Sequence, residues 1–150
     1  MTFHLSSGKL PTLPELLALY GSVLWTSYTR DPDALERAVR QSGFVWAARN
    51  GAREDGVGEL IGLVRGVTDD VSILYVQDIL VQPGWQRRGV GRALMEAVLD
   101  RYAHVGQMAL LTDDGPQQLA FYRSLGFHNT RELVNTPTNA FYRDRRVRLS

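Results

Sequence analysis

The stretch best suited to chemistry runs Gln86-Arg87-Arg88-Gly89-Val90-Gly91-Arg92, behind the apolar run Ile79-Leu80-Val81. A strand there ends at Pro83, a short loop carries two glycines one residue apart, and an amphipathic helix starts at once. The first N–H groups of a helix have no partner inside it, and the dipole adds about half a positive charge. Glycine lets backbone approach a ligand closely, so this mouth suits an anionic group. Arg87, Arg88 and Arg92 add three positive charges within six residues. Phosphate is the expected guest. A Walker loop is excluded, because no Lys follows Gly89 or Gly91. Leu94 stands where the dinucleotide fingerprint G-x-G-x-x-G needs a small residue. Spacing alone leaves a plain loop–helix junction as the alternative.

A second candidate is Asp78, a carboxylate inside the apolar segment Ser72–Gln82. Burying a charge is costly unless it is paired or put to use. Two readings stay open: Asp78 accepts a proton, directly or through water, or it braces neighbouring backbone or pairs with an arginine. Asp113-Asp114 is a further acidic pair, explained as a helix cap.

The elements that must position these groups follow from the spacing of apolar residues. A helix is expected near Thr12–Leu24, with Thr12 as cap, Pro14 early, and Leu13, Leu16, Leu17, Tyr20 and Leu24 on one face. A second runs from about Pro32 to Ser42, capped by Asp31 and stopped at Gly43. Phe44–Arg49, Leu60–Val67 and Ser72–Gln82 form an antiparallel meander, the first two joined by the turn-rich run Asn50–Gly56. A helix over Gly89–His104 follows, then a buried strand at Met108–Thr112 and a helix over Pro116–Leu125 that Gly126 ends. Phe127–Leu133 and Phe141–Leu149 are expected to close the chain as strands. This order gives a mixed α/β (α+β) domain, a single one over residues 1–150, and not an alternating doubly wound fold.

Composition narrows the function. The chain has 150 residues and a formal charge of +1, with sixteen Arg against one Lys, so no global field favours nucleic acid or a membrane surface. The absence of cysteine excludes a disulfide framework, a thiolate metal site and a cysteine nucleophile. His4, His104 and His128 are dispersed without ligand spacing, so no metal is expected. No apolar run is long enough to span a bilayer, and the first residues lack the form of a secretory signal. A cytoplasmic protein is the expectation.

The segment Gln86-Arg87-Arg88-Gly89-Val90-Gly91, after a strand and before a helix, resembles the Q/R-x-x-G-x-G/A pyrophosphate loop of the GCN5-related N-acetyltransferases (GNAT). Further along, Ala120-Phe121-Tyr122-Arg123-Ser124-Leu125-Gly126-Phe127 resembles that family's second signature, a helix ending in F-Y-x-x-L-G-F. The resemblance covers Phe44–Phe127 well and both ends loosely. Tyr75-Val76-Gln77-Asp78 resembles the small bacterial and plastid members.

The resemblance implies a mixed, mostly antiparallel sheet splayed at its fourth strand and flanked by helices, with acetyl-CoA as co-substrate and no metal. Backbone groups of Ile79, Leu80 and Val81 would pair with the pantetheine arm, as a peptide adds to a strand edge. Residues from Gln86 through Arg92 would cradle the pyrophosphate. Tyr122 lies where the family places the general acid that protonates the departing thiolate, beside the cofactor. A phenol with a reference pKa near 10 carries its proton at neutral pH. The alternative for Tyr122 is packing against Phe121, Leu125 and Phe127. The family commonly has Asn seven residues before this tyrosine; Gly115 stands there instead. Trp25, Tyr28 and Tyr75 would line an aromatic slot for the acceptor amine, or form part of the core.

The resulting expectation is an acyl-CoA-dependent N-acetyltransferase of bacterial type, moving acetyl directly to a primary amine on a small molecule or peptide. A non-catalytic acyl-CoA-binding sensor or scaffold is the alternative. A nucleic-acid or protein partner for the Arg-rich C-terminus is a third, disfavoured by the near-zero net charge. The C-terminal strands leave a homodimer as a further expectation.

Overall fold

The computed structural model describes residues 2–51 and 58–149. Most of the Asn50–Gly56 turn therefore lies outside the described residues. The chain forms two compact units, Met1–Leu111 and Thr112–Ser150.

The first unit is a five-stranded sheet in the order β1-β2-β3-β4-β5, built from β1 (Phe3–Ser6), β2 (Phe44–Asn50), β3 (Leu60–Thr68), β4 (Ile73–Val81) and β5 (Gln107–Leu110). All neighbours are antiparallel except β4 and β5, which are parallel. A mixed α/β domain with a mostly antiparallel central sheet is thus what the chain forms. Strand β1 was not legible as a strand: it has four residues and gains its ladder only by pairing with β2.

One face of the sheet carries α1 (Leu13–Ser22), α2 (Thr26–Thr29) and α3 (Pro32–Arg40). Thr12 caps α1 in a reciprocal box with Glu15, and Pro14 sits in the first turn. Leu16, Leu19 and Tyr20 meet Leu35, Val39, Leu63 and Leu80 in the core, whereas Leu24 is exposed at positive φ beyond the helix end. Asp31 caps α3 through the Ala34 N–H, as expected. Gly43 does not stop that helix. Gln41 is its C-cap, and the Gly43 N–H bonds the Gly66 carbonyl at 2.8 Å, opening β2.

The other face carries α4 (Val90–Arg101), with Val90, Leu94, Met95 and Val98 buried. It packs close because Gly62 of β3 lacks a side chain: a Cβ there would lie 3.0 Å from Val90 Cγ1 and 3.2 Å from Leu94 Cδ1. Among the described residues no helix is long and apolar enough to cross a membrane.

The second unit holds α5 (Pro116–Ser124) and the 3₁₀ turn Thr130–Glu132. Neither Asp113 nor Asp114 caps α5; Gly115 is the N-cap without a side-chain bond, and Asp114 instead pairs with Arg131 at 3.0 Å. The strands expected at Phe127–Leu133 and Phe141–Leu149 do not form. A strand needs a ladder, and here short-range side-chain bonds fold the chain locally instead. Asn129 accepts from the Arg131 N–H, and Asp144 accepts from the Arg146 backbone and guanidinium and from Tyr142.

Candidate active site

The register of β4 creates the site. Opposite β3, Arg65 pairs with Asp78 but Gly66 pairs with Val76, so Gln77 is an extra residue, a β-bulge. The bulge reverses which face the side chains take. Val76 and Leu74 lie opposite Gly66 and Thr68, while Asp78 and Leu80 join the α1 side with Arg65 and Leu63. At the same point β5 stops: its four residues pair only with Ile73 through Val76. The sheet is therefore splayed from Gln77 onward, and no strand among the described residues borders that edge of Gln77–Val81.

Which backbone groups face the opening follows from the ladder. The Gln82 N–H bonds the Ile61 carbonyl at 2.8 Å, so alternate residues, Leu80 among them, direct their groups to β3. Ile79 and Val81 direct theirs to the open edge, where the Val81 carbonyl accepts from Gln86 Nε2 at 3.0 Å. The Leu80 side chain is core. Of the three residues expected at this edge, two present backbone groups to it.

Beyond Val81 the chain turns through the 3₁₀ helix Pro83–Trp85, whose Trp85 is buried, into the mouth of α4. Arg87 and Gly89 both have positive φ, 62° and 84°. The first intrahelical bond runs from the Ala93 N–H to the Gly89 carbonyl at 3.0 Å, so the N–H groups of Val90, Gly91 and Arg92 precede the helical ladder. Gly89 is the N-cap and offers no side-chain bond to them. Arg87, Arg88 and Arg92 are exposed around this mouth; Arg88 lies over the Trp85 ring at 5.9 Å and Arg92 reaches Glu96 at 3.6 Å. The expected cradle residues are thus gathered in one turn, Val90 alone being buried for packing.

On the α1 side of the bulge sits a buried polar cluster. Asp78, 3% exposed, accepts from Arg65 Nε at 2.7 Å, from the Tyr20 hydroxyl at 2.9 Å and from the Tyr28 hydroxyl at 2.7 Å. The Tyr28 oxygen in turn accepts from Arg65 Nη2 and Gln77 Nε2, each at 3.3 Å. Burial, and then the Asp78 charge, push the Tyr20 and Tyr28 phenols above their ordinary range. Burial alone would lower Arg65, but Asp78 and the two tyrosines outweigh it and hold the guanidinium charged. Of the two readings of Asp78, the arginine-paired one describes this geometry. Arg65 and Tyr20 were missed as site residues. The available signal was two opposite charges, each in an apolar strand of one antiparallel meander.

Trp25 and Tyr28 pack together with ring centroids 6.3 Å apart and border the core at Tyr20. Tyr75 is half-buried on β4, opposite Val67. In the second unit, Tyr122 lies on α5 with its ring edge-on to Phe121 and Phe127. Burial raises its phenol above the ordinary value, against an opposing hydrogen bond with Thr112.

A splayed β4 whose open edge runs into a glycine-opened helix mouth is the arrangement that the two sequence motifs led one to expect. A profile of the acetyltransferase (GNAT) family matches residues 10–127, and the chain belongs to that family. It is 31% identical over 137 residues to a soybean protein named histone acetyltransferase TAP1, covering 86% of this chain and 57% of that one. It is 32% identical over 118 residues to the chloroplastic serotonin N-acetyltransferase 2 of rice, covering 77% of this chain and 56% of that one. The chain thus spans little more than half the length of these curated relatives. Among solved structures, a GNAT-family acetyltransferase from Streptococcus pneumoniae superposes with a TM-score of 0.74 at 29% identity, covering 96% of this chain and 99% of the other. Acetyl transfer is therefore the general activity of its family.

Proposed function

We propose that this chain transfers an acetyl group from acetyl-CoA directly to a primary amine. The observation that carries the reading is the departure of β5 at Val76, which leaves the Ile79 and Val81 backbone open along an edge ending at the α4 mouth. An amide-bearing arm fits that edge by strand addition. A diphosphate fits the mouth: the N–H groups of Val90, Gly91 and Arg92 supply donors, Gly89 keeps the approach clear, and Arg87 and Arg88 supply charge. When bound, acetyl-CoA supplies the acetyl group as an activated thioester.

The chain's own residues then divide the work. Ile79 and Val81 hold the acyl carrier in line by backbone hydrogen bonds, while the arginines draw it in through a field that salt would screen. Tyr122 holds a proton on its hydroxyl at neutral pH, as an ordinary phenol does, and burial raises its affinity for that proton further. That proton is the one the departing thiolate sulfur takes up as the C–S bond breaks, and the proton the amine loses on forming the C–N bond returns to the phenolate through water. Trp25 and Tyr28, packed against the core, form the aromatic side that receives the amine and limits water, with Tyr75 on β4 as its further aromatic contact. The relationship to the rice serotonin N-acetyltransferase supports an arylalkylamine as the acceptor class.

The test is release of free thiol from acetyl-CoA across a panel of arylalkylamines, aliphatic amines, diamines and peptide N-termini. Amine-dependent release, greatest with an arylalkylamine, is expected. Tight acetyl-CoA binding without release for any amine would replace the enzyme with an acyl-CoA sensor.

A further inference from the structure

The cluster around Asp78 lies beside the bulge, just past the last residue of β4 that pairs with β5. The acyl carrier held by Val81 and Ile79 has its far end toward Gln77, since β4 runs from Ile73 to Val81 and the diphosphate end is at α4. Tyr28 reaches the same bulge from the α1–α2 side, through Gln77 at 3.3 Å and Asp78 at 2.7 Å. Its ring is half-buried, so the outer part borders solvent while the hydroxyl is fixed.

That fixing is unusually complete. The Tyr28 hydroxyl donates to Asp78 and accepts from two donors, Arg65 and Gln77, which uses its donor and both lone pairs. Asp78 has Tyr20 and Arg65 on one oxygen and Tyr28 on the other. Arg65 spends Nε on Asp78, Nη2 on Tyr28 and Nη1 on Ser42 at 3.4 Å, and its guanidinium also lies 5.7 Å from the Tyr28 ring centre. The carboxylate is therefore matched by a cation, and the surface it leaves toward the acceptor is an aromatic ring.

We propose that Arg65 and Asp78 are positioning residues that pin Tyr28 at the β4 bulge and cancel the charge beneath it, so that the site selects monoamines with an apolar or aromatic body over polyamines. A bare carboxylate at this place would attract a second ammonium group. The paired one, its charge already matched by Arg65, offers it nothing. This selectivity rests on the acetyltransferase reading above and assigns Asp78 a role other than proton acceptor.

The experiment measures kcat and KM for phenylethylamine and for 1,4-diaminobutane in the wild type, Tyr28→Phe, Asp78→Asn, Arg65→Met and Arg65→Lys. Tyr28→Phe is expected to raise the phenylethylamine KM by about tenfold, the loss of one hydrogen bond to a charged partner. Its kcat should fall by less than about threefold on the same ground, with the acetyl-CoA KM unchanged. Arg65→Met should lower the monoamine-to-diamine ratio of kcat/KM, and Arg65→Lys should restore most of it. Should Arg65→Met fail to fold, Tyr28→Phe and Asp78→Asn still decide. An unchanged monoamine KM in Tyr28→Phe overturns the proposal. So does a folded Asp78→Asn that binds acetyl-CoA but loses kcat by orders of magnitude together with the acid limb of its pH profile. Absence of transfer to any amine by the wild type would instead overturn the acetyltransferase reading, and this one with it.

Discussion

Replacing Gly89 with alanine isolates the backbone geometry of the proposed diphosphate cradle. Gly89 sits at φ 84°, in the left-handed region, and a Cβ built there meets no atom within 4 Å. The substitution therefore adds no clash, only the conformational cost of an L side chain at positive φ, about 1–2 kcal/mol. The protein can meet that cost in two ways. If the loop holds its shape, stability falls by that amount and the urea midpoint drops. If the loop relaxes, the N–H groups of Val90 to Arg92 move off line, and acetyl-CoA affinity falls by roughly 5- to 30-fold. Calorimetric titration with acetyl-CoA and urea denaturation on the same samples separate the two. Gly89→Asn should recover most of the loss, because Asn tolerates this conformation. Gly84→Ala, at a position with open space and no positive φ, serves as the neutral control. Unchanged stability and unchanged affinity in Gly89→Ala would refute the claim that this turn shapes the cradle.

Tyr122→Phe should lower kcat by tens-fold or more while the acetyl-CoA dissociation constant stays within about twofold, as expected for a proton donor that does not anchor the carrier. Equal turnover in steady-state assays would leave Tyr122 a packing residue. Acid should weaken the α1 anchor in a defined window. The hydrogen bond from Arg49 is the chief reason that Glu15 titrates at about 2 rather than its ordinary 4.5, helped by Thr12 and opposed by partial burial. A lowered folded-state value means the stabilisation is complete above about 4.5 and is lost as pH falls toward about 2. Glu15 is partly exposed, so screening limits the effect to about 1 kcal/mol. Glu15→Gln should flatten the stability curve between those values, and an identical acid dependence would contradict the assignment.

The strand–loop–helix at residues 79–101 was legible because two independent signals coincide there. The apolar run stops at Pro83, and the glycines open a helix whose buried face recurs at the helical period. The meander was legible for a similar reason, since Phe44, Leu60 and Ile73 each begin apolar runs separated by turn residues. What escaped depends on pairing between distant residues. Spacing cannot show that Gln77 is skipped in the β3–β4 register, although that single residue turns Asp78 toward Arg65, at the point where the pairing with β5 stops. The short β1 escaped because its ladder lies wholly in its partner strand. The opposite error occurred at Phe141–Leu149. Alternating apolar and charged residues suggested a strand, yet Asp144 gathers the nearby Arg146 and Tyr142 into local bonds, leaving Phe141 97% exposed.

Amide hydrogen exchange with and without saturating acetyl-CoA tests the central claim most directly. Newly protected amides are expected at Ile79 and Val81 and at Val90, Gly91 and Arg92, while Leu80, already bonded across to β3, changes little. Saturated binding that leaves Ile79 and Val81 exchanging at their free rates, or that protects a different strand edge, would contradict it.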